Sequence, residues 1–351
     1  MNARPGSLLL LVALLLASFG CARSHAEVAL APPMASPPAV PTYAPIELPR
    51  DQSPHDNLTE WWYYTGHLGA ADGRRFGFEL VFFQTVRGDY PVVYLGQFAI
   101  TDRGRQTFQH ASKLAQGSQI GRQDQLDLAV QDWRMRGALG HDHLQAALDD
   151  YALDVELTSQ KPPALHDEDG IVSFGPAGDS YYYSYTRMAL KGTLVDHGEV
   201  VPVEGQAWFD HQWGNFLVLG GGWDWYSLQL DDNAELMLNQ LRDDQNNIVG
   251  VWGTYVAPDG SYRPLTAHDF TIEPTGRWTS PHSGATYPMG WHVIHHDPAY
   301  DLNLTPVLSD QELLSLGNGP TYWEGAVEVS GSHSSAPIHG VGYVEMTGYA
   351  K

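Results

Sequence analysis

Thiols, positive charge and long apolar runs are all scarce in this chain. Cys21 is the one cysteine among 351 residues. No intramolecular disulfide can form, so packing must hold the fold, which a chain of this length can supply. Lys and Arg number 19 against 41 Asp and Glu, for a formal charge of −22. No basic cluster interrupts that excess, so a phosphate backbone would be repelled and nucleic acid is not an expected partner. The surplus falls largely in turns such as Asp231-Asp232 and Asp243-Asp244, where it reads as a solvated face. The sequence has no Gly-x-Ser-x-Gly elbow, no phosphate-binding Gly-rich loop and no thiol beyond Cys21. Serine-hydrolase, nucleotide and thiol chemistries are therefore unsupported. The longest unbroken apolar run, residues 8–17, is too short to span a bilayer, which takes ~20 residues.

That run follows Arg4 and ends at Ser18-Phe19-Gly20-Cys21, the layout of a signal peptide over residues 1–21. A cysteine after small residues at this point resembles a bacterial lipobox, with Ser18 where an aliphatic residue is usual. The expectation is acylation at Cys21 and a membrane-anchored lipoprotein of a bacterial envelope. The alternative is a conventional signal peptide ending near Ala22 or Ala26, giving a periplasmic or secreted protein. Residues 22–50 are rich in Pro and Ala without a period and read as an extended linker.

Beyond residue 51 the composition turns globular; the chain carries 11 Trp and 18 Tyr, types suited to pleated surfaces. Period-two alternation dominates, as in Arg75-Phe76-Gly77-Phe78-Glu79-Leu80, and turn signals such as Asp72-Gly73 and Asp232-Asn233 recur at short intervals. Only 124–136 and 310–316 have the length and pattern to be considered as helices.

The pattern also repeats. Glu60-Trp61-Trp62-Tyr63-Tyr64 and Trp223-Asp224-Trp225-Tyr226 each open a block with an aromatic strand. The block ends correspond as well, Gly205-Gln206-Ala207-Trp208-Phe209-Asp210 with Gly340-Val341-Gly342-Tyr343-Val344-Glu345. Two consecutive up-and-down barrels follow: an all-β chain of two tandem antiparallel barrels, 51–220 and 221–351. The boundary is placed at Gly220-Gly221-Gly222.

Candidate chemistry concentrates where carboxylates sit among indoles. In a strand, Asp210 and Gln212 share one face while Phe209, His211 and Trp213 share the other. Trp223 and Trp225 likewise oppose Asp224 and Tyr226. An acid in such an apolar setting is pushed toward its protonated form, the state needed for general-acid work near neutral pH. Glu60, Asp210 and Asp224 could equally cap turns or hold indole N–H groups. His141-Asp142-His143 and His292 with His295-His296 carry ligand residue types, but in polar loop-like sequence, and no metal is expected.

Taken in order, Glu60-Trp61-Trp62-Tyr63, Tyr182-Tyr183-Ser184 with Thr186-Arg187, Trp208-Phe209-Asp210-His211-Gln212-Trp213-Gly214, Gly222-Trp223-Asp224-Trp225 and Tyr322-Trp323-Glu324-Gly325 resemble the carotenoid 1,2-hydratase / AttH-like family. The resemblance implies that the two tandem barrels are lipocalin-like (calycin) antiparallel β-barrels, the N-terminal one hydratase-like, and that the chain adds water to a double bond of a hydrophobic isoprenoid without a cofactor. It carries over His211 and Asp224 as catalytic groups, with Trp213, Trp225 and Tyr226 around the ligand; the clusters themselves add Asp210 as a catalytic candidate and Trp61, Trp62 and Tyr64 as ligand-binding aromatics. The alternative is a non-catalytic lipoprotein that binds or transfers a hydrophobic ligand, with an ABC-type exporter as partner.

Overall fold

The computed structural model describes residues 43–117, 124–216, 221–314 and 321–350. The leader with Cys21, the linker as far as residue 42, and Gly220 lie outside the described residues. The folded body begins earlier than residue 51. Ile46 and Leu48 pack against the first core, and the Tyr43 hydroxyl donates to the Asp179 carboxylate.

The described residues form strands and two single-turn 3-10 segments. Residues 124–136 do not make a helix. They fold as the hairpin Leu126–Val130 and Trp133–Ala138, turned by Gln131 at φ 59°. The cause is period two: Leu126, Leu128 and Val130 are fully buried, while Asp127 and Ala129 between them are only partly covered. The second helix candidate is a short strand, Glu312–Leu313, and its residues 315–316 lie outside the described set.

The first sheet is an antiparallel meander of Thr59–Ala70, Arg75–Thr85, Val93–Asp102 and Thr107–Gln116. Its opening strand also pairs with Glu199–Gly214. From there the sheet runs through Asp179–Asp196, Tyr151–Ser159, His141–Ala147 and Trp133–Ala138 to Leu126–Val130. The second sheet repeats this order. Gly222–Leu230 opens a meander through Glu235–Arg242, Ile248–Val256 and Tyr262–Thr266, and pairs on its other side with Ala336–Met346. Each sheet curls into a nearly closed barrel, so the fold is a lipocalin-like tandem. At the open seam of the first, Lys113 pairs with Asp132 and lies 4.4 Å above the Trp133 ring.

Adjacent aromatics in the opening strands serve two different cores. Trp62, Tyr64 and Leu68 fill the first barrel. Tyr63, Trp208, Trp225, Met237 and Tyr343 form a separate cluster between the barrels, flanked by Trp61 and Trp223. Both faces of Thr59–Ala70 are therefore covered, which explains why its sequence is aromatic without a gap. Close approach needs Gly77, where a Cβ would lie 2.5 Å from the Tyr343 hydroxyl and 2.9 Å from the Ala326 Cβ.

A buried ionic cluster joins the two barrels. A bulge between Tyr185 and Met188 takes Thr186 and Arg187 out of the ladder. The Arg187 guanidinium then reaches Glu235 of the second barrel, which also accepts from Lys161 Nζ at 2.8 Å and Thr186 Oγ1 at 3.1 Å. Arg187 and Lys161 use their remaining donors on the Leu230 and Ala257 carbonyls, so neither charge is stranded.

Candidate functional site between the barrels

The three acid–base residues expected from the sequence lie in three different places. Asp224 faces the interior of the second barrel, where its Oδ1 accepts from Arg242 Nη2 at 3.1 Å and its Oδ2 from the Tyr349 hydroxyl at 3.0 Å. Burial pushes it up to about 6 against the pull of Arg242, but it does not line the cavity between the barrels. His211 lies fully buried inside the first barrel, its ring 4.9 Å from Trp62 and 4.6 Å from Trp213. Burial lowers it to about 4, so the ring is neutral. Its Nε2–H donates to Glu60 Oε1 at 2.9 Å, and the Tyr183 hydroxyl donates to its Nδ1 at 3.3 Å. Of the three, Asp210 is the one that lines the cavity between the barrels.

The expected ligand-binding residues divide in the same way. Trp61 and Trp225 line the cavity. Trp62, Tyr64 and Trp213 fill the first barrel, and Tyr226 the second. Strand alternation sends every second aromatic inward, and the sequence does not say which of two cores is empty.

The cavity holds about 320 Å³ between the barrels. Its wall is aromatic: Trp61, Tyr63, Phe83, Phe174, Tyr182, Phe216, Trp223, Trp225 and Trp252, with Gln212 and Asn239 as the amides. Two carboxyls enter it, Asp210 and Glu345. They come from matching positions of the two barrels. Asp210 is paired across the ladder with Tyr63 of the first opening strand, and Glu345 with Trp225 of the second. The duplication visible in the sequence aligns these acids, and that was the available signal for Glu345.

Their settings differ. Asp210 accepts from Tyr182 Oη at 2.6 Å, Trp208 Nε1 at 2.6 Å and the Ser184 hydroxyl. Burial raises it to about 6 against these three donors. Glu345 is only partly covered and receives one hydrogen bond, from Trp223 Nε1 at 2.9 Å. Burial raises it to about 7, with Asp210 and Asp224 adding like charge. Burial and like charge thus favour the protonated form of Glu345, whereas three donors to Asp210 favour its anion. Behind them lie two more buried acids, Glu79 and Glu324, both displaced upward chiefly by burial, with the Tyr63 hydroxyl donating to Glu324.

His55, Glu60 and His211 form the one cluster of metal-ligand atoms within mutual reach among the described residues. Those atoms already satisfy one another, His55 Nδ1 and His211 Nε2 lying 2.7 and 2.9 Å from Glu60 Oε1. Ligand atoms around one tetrahedral zinc stand about 3.3 Å apart. As built, the group is a hydrogen-bonded unit bracing the first barrel. A wider groove of about 1010 Å³ elsewhere is lined with charged side chains such as Arg75, Arg103, Lys191 and Glu204, and has no comparable aromatic wall.

Fold and site together define a tandem lipocalin-like protein with an acid-bearing aromatic cavity between its barrels. The chain belongs to the AttH-like family, whose model matches residues 39–349. An AttH protein of Nitrosomonas europaea, solved by crystallography, is 32% identical, covers 90% of this chain and 100% of its own, and superposes with a TM-score of 0.79. Kievitone hydratase of Fusarium solani subsp. phaseoli is 24% identical over 187 residues, 50% of this chain and 51% of that protein. The chain thus matches about half the length of that curated relative. The crystal structure of kievitone hydratase from Nectria haematococca shares the fold, with 18% identity, a TM-score of 0.70, and coverage of 86% and 93%.

Proposed function

We propose that this protein is a hydratase that adds water across a double bond of a hydrophobic small molecule held between the barrels. The observation that carries the reading is the pair of unlike carboxyls, Glu345 and Asp210, entering one aromatic cavity. Glu345 gives its proton to the alkene: its O–H bond breaks, a C–H bond forms, and the neighbouring carbon becomes a cation. The rings of Trp61, Trp223, Trp225 and Trp252 face that charge, each contributing about 0.5–2 kcal/mol. A water molecule attacks the cation and passes its surplus proton to the Asp210 carboxylate, and proton return from Asp210 to Glu345 restores the pair. No cofactor enters this scheme.

The substrate class is an acyclic isoprenoid or related alkene. A cavity of about 320 Å³ is at the small end of ligand sites, so it takes the reacting end of a long chain. Kinship with the hydratase relatives supports the reaction type. Export, and a lipid anchor at Cys21, complete the proposal.

The test is incubation with acyclic isoprenoid alkenes in ¹⁸O-labelled water, with binding followed separately by quenching of tryptophan fluorescence. Wild type should bind and incorporate label. Asp210→Asn and Glu345→Gln should each bind but turn over ~100- to 10,000-fold more slowly. Binding by the wild type with no incorporation would overturn the enzyme reading in favour of a hydrophobic-ligand carrier.

A further inference from the structure

His166 lies outside every motif singled out in the sequence, yet it is fully buried beside the cavity acids. It sits in the loop between Ala164–Leu165 and Ile171–Ser173, fixed by its own backbone. Its N–H donates to the Tyr182 carbonyl at 3.2 Å, and its carbonyl accepts from Gly170 N at 2.8 Å. Both ring nitrogens meet hydroxyls. Nε2 is 2.7 Å from Ser184 Oγ, and Nδ1 is 2.7 Å from Thr254 Oγ1 of the second barrel. Ser184 in turn donates to Asp210 Oδ1. The ring also packs on Tyr182 at 4.1 Å between centroids, and Tyr182 is the donor to Asp210 Oδ2. Two of the three donors that hold Asp210 are therefore braced by one imidazole.

The direction of each hydrogen bond follows from valence. An Asp210 carboxylate can only accept, so Ser184 must donate to it. The Ser184 oxygen is then free to accept, and His166 must supply Nε2–H. A neutral ring leaves Nδ1 bare, and the Thr254 hydroxyl donates to it. Burial keeps the ring neutral by lowering it to about 3. The chain Thr254, His166, Ser184, Asp210 is thus polarised one way, with every O–H and N–H pointing toward the carboxylate.

We propose that His166 is a positioning residue that, through Ser184 and Tyr182, holds Asp210 as the proton-accepting anion of the cavity pair. Its kinetic consequence rests on the hydratase reading, whereas the polarised chain does not. Because Thr254 belongs to the second barrel, the chain also ties the charge state of a first-barrel acid to the docking of the two barrels.

The experiment therefore has two arms. In the first, ¹⁵N-histidine-labelled full-length protein is examined by long-range proton–nitrogen correlation at pH 7, and the Asp210 carboxyl is titrated by ¹³C spectroscopy. The expected result is a neutral His166 in the Nε2–H tautomer, with an Asp210 titration that moves up by about one pH unit in His166→Leu. An Nδ1–H tautomer, an imidazolium at pH 7, or an unmoved Asp210 titration overturns the proposal. In the second arm, the acid limb of the kcat profile should shift up by the same amount in His166→Leu, with KM little changed. His166→Gln, whose amide can still donate to Ser184, should restore it. Equal losses in Leu and Gln variants that track the unfolding midpoint would make His166 a spacer and sink the proposal. If the wild type hydrates nothing, the hydratase reading fails alone, because the tautomer and the Asp210 titration are read without turnover.

Discussion

Replacing Glu345 by Gln tests the proton donor without any knowledge of the substrate. The fold raises this carboxyl from an ordinary 4.5 to about 7. Between those values the native state keeps a proton that the unfolded chain has released. Stability from this group is complete below pH 4.5 and is lost as pH climbs to about 7. The gap is worth about 3 kcal/mol, a slope of about 1.4 kcal/mol per pH unit. The substituted glutamine cannot titrate, and its amide oxygen still accepts from Trp223. The unfolding free energy of Glu345→Gln minus that of wild type should therefore rise with pH and level off above 7. The sequence pI is ≈ 4.9, so urea titrations followed by tryptophan fluorescence should begin near pH 5.5. About 2 kcal/mol of the rise remains above that point. A flat difference curve would refute the reasoning, because Glu345 would then ionise like an exposed carboxylate and could not serve as an acid near neutral pH.

Three further outcomes are expected. Asp224→Ala strands the Arg242 guanidinium and should cost about 3–5 kcal/mol in denaturant titration while leaving fluorescence-quench affinity intact; lost affinity at unchanged stability would return Asp224 to the ligand site. Glu235→Ala leaves Lys161 and Arg187 without their shared partner and should also cost about 3–5 kcal/mol, and a cost under 1 kcal/mol would show that the buried cluster does not hold the barrels together. For the proposed anchor, the full-length protein should partition into detergent and Cys21→Ser should not, since two or more acyl chains hold firmly; a freely soluble wild type would end that proposal.

The duplicated pattern of aromatic opening strand and glycine-rich closing strand was legible because period two and turn chemistry are local properties. For the same reason the strings around Trp61, Asp210 and Trp323 sufficed to place the chain in its family. The faces of each strand were also legible: Asp210 does oppose His211, and Trp225 does oppose Asp224. What alternation cannot tell is what each face meets. Only the docking of the two barrels decided that the odd-numbered aromatics of Thr59–Ala70 border a cavity while its even-numbered ones fill a core. The same docking paired Asp210 with Glu345, gave Arg187 a partner 48 residues away in Glu235, and set His166 between Ser184 and Thr254. Those contacts are long-range. Their energies depend on burial and on which polar atoms converge, and neither quantity exists until both sheets have closed and met.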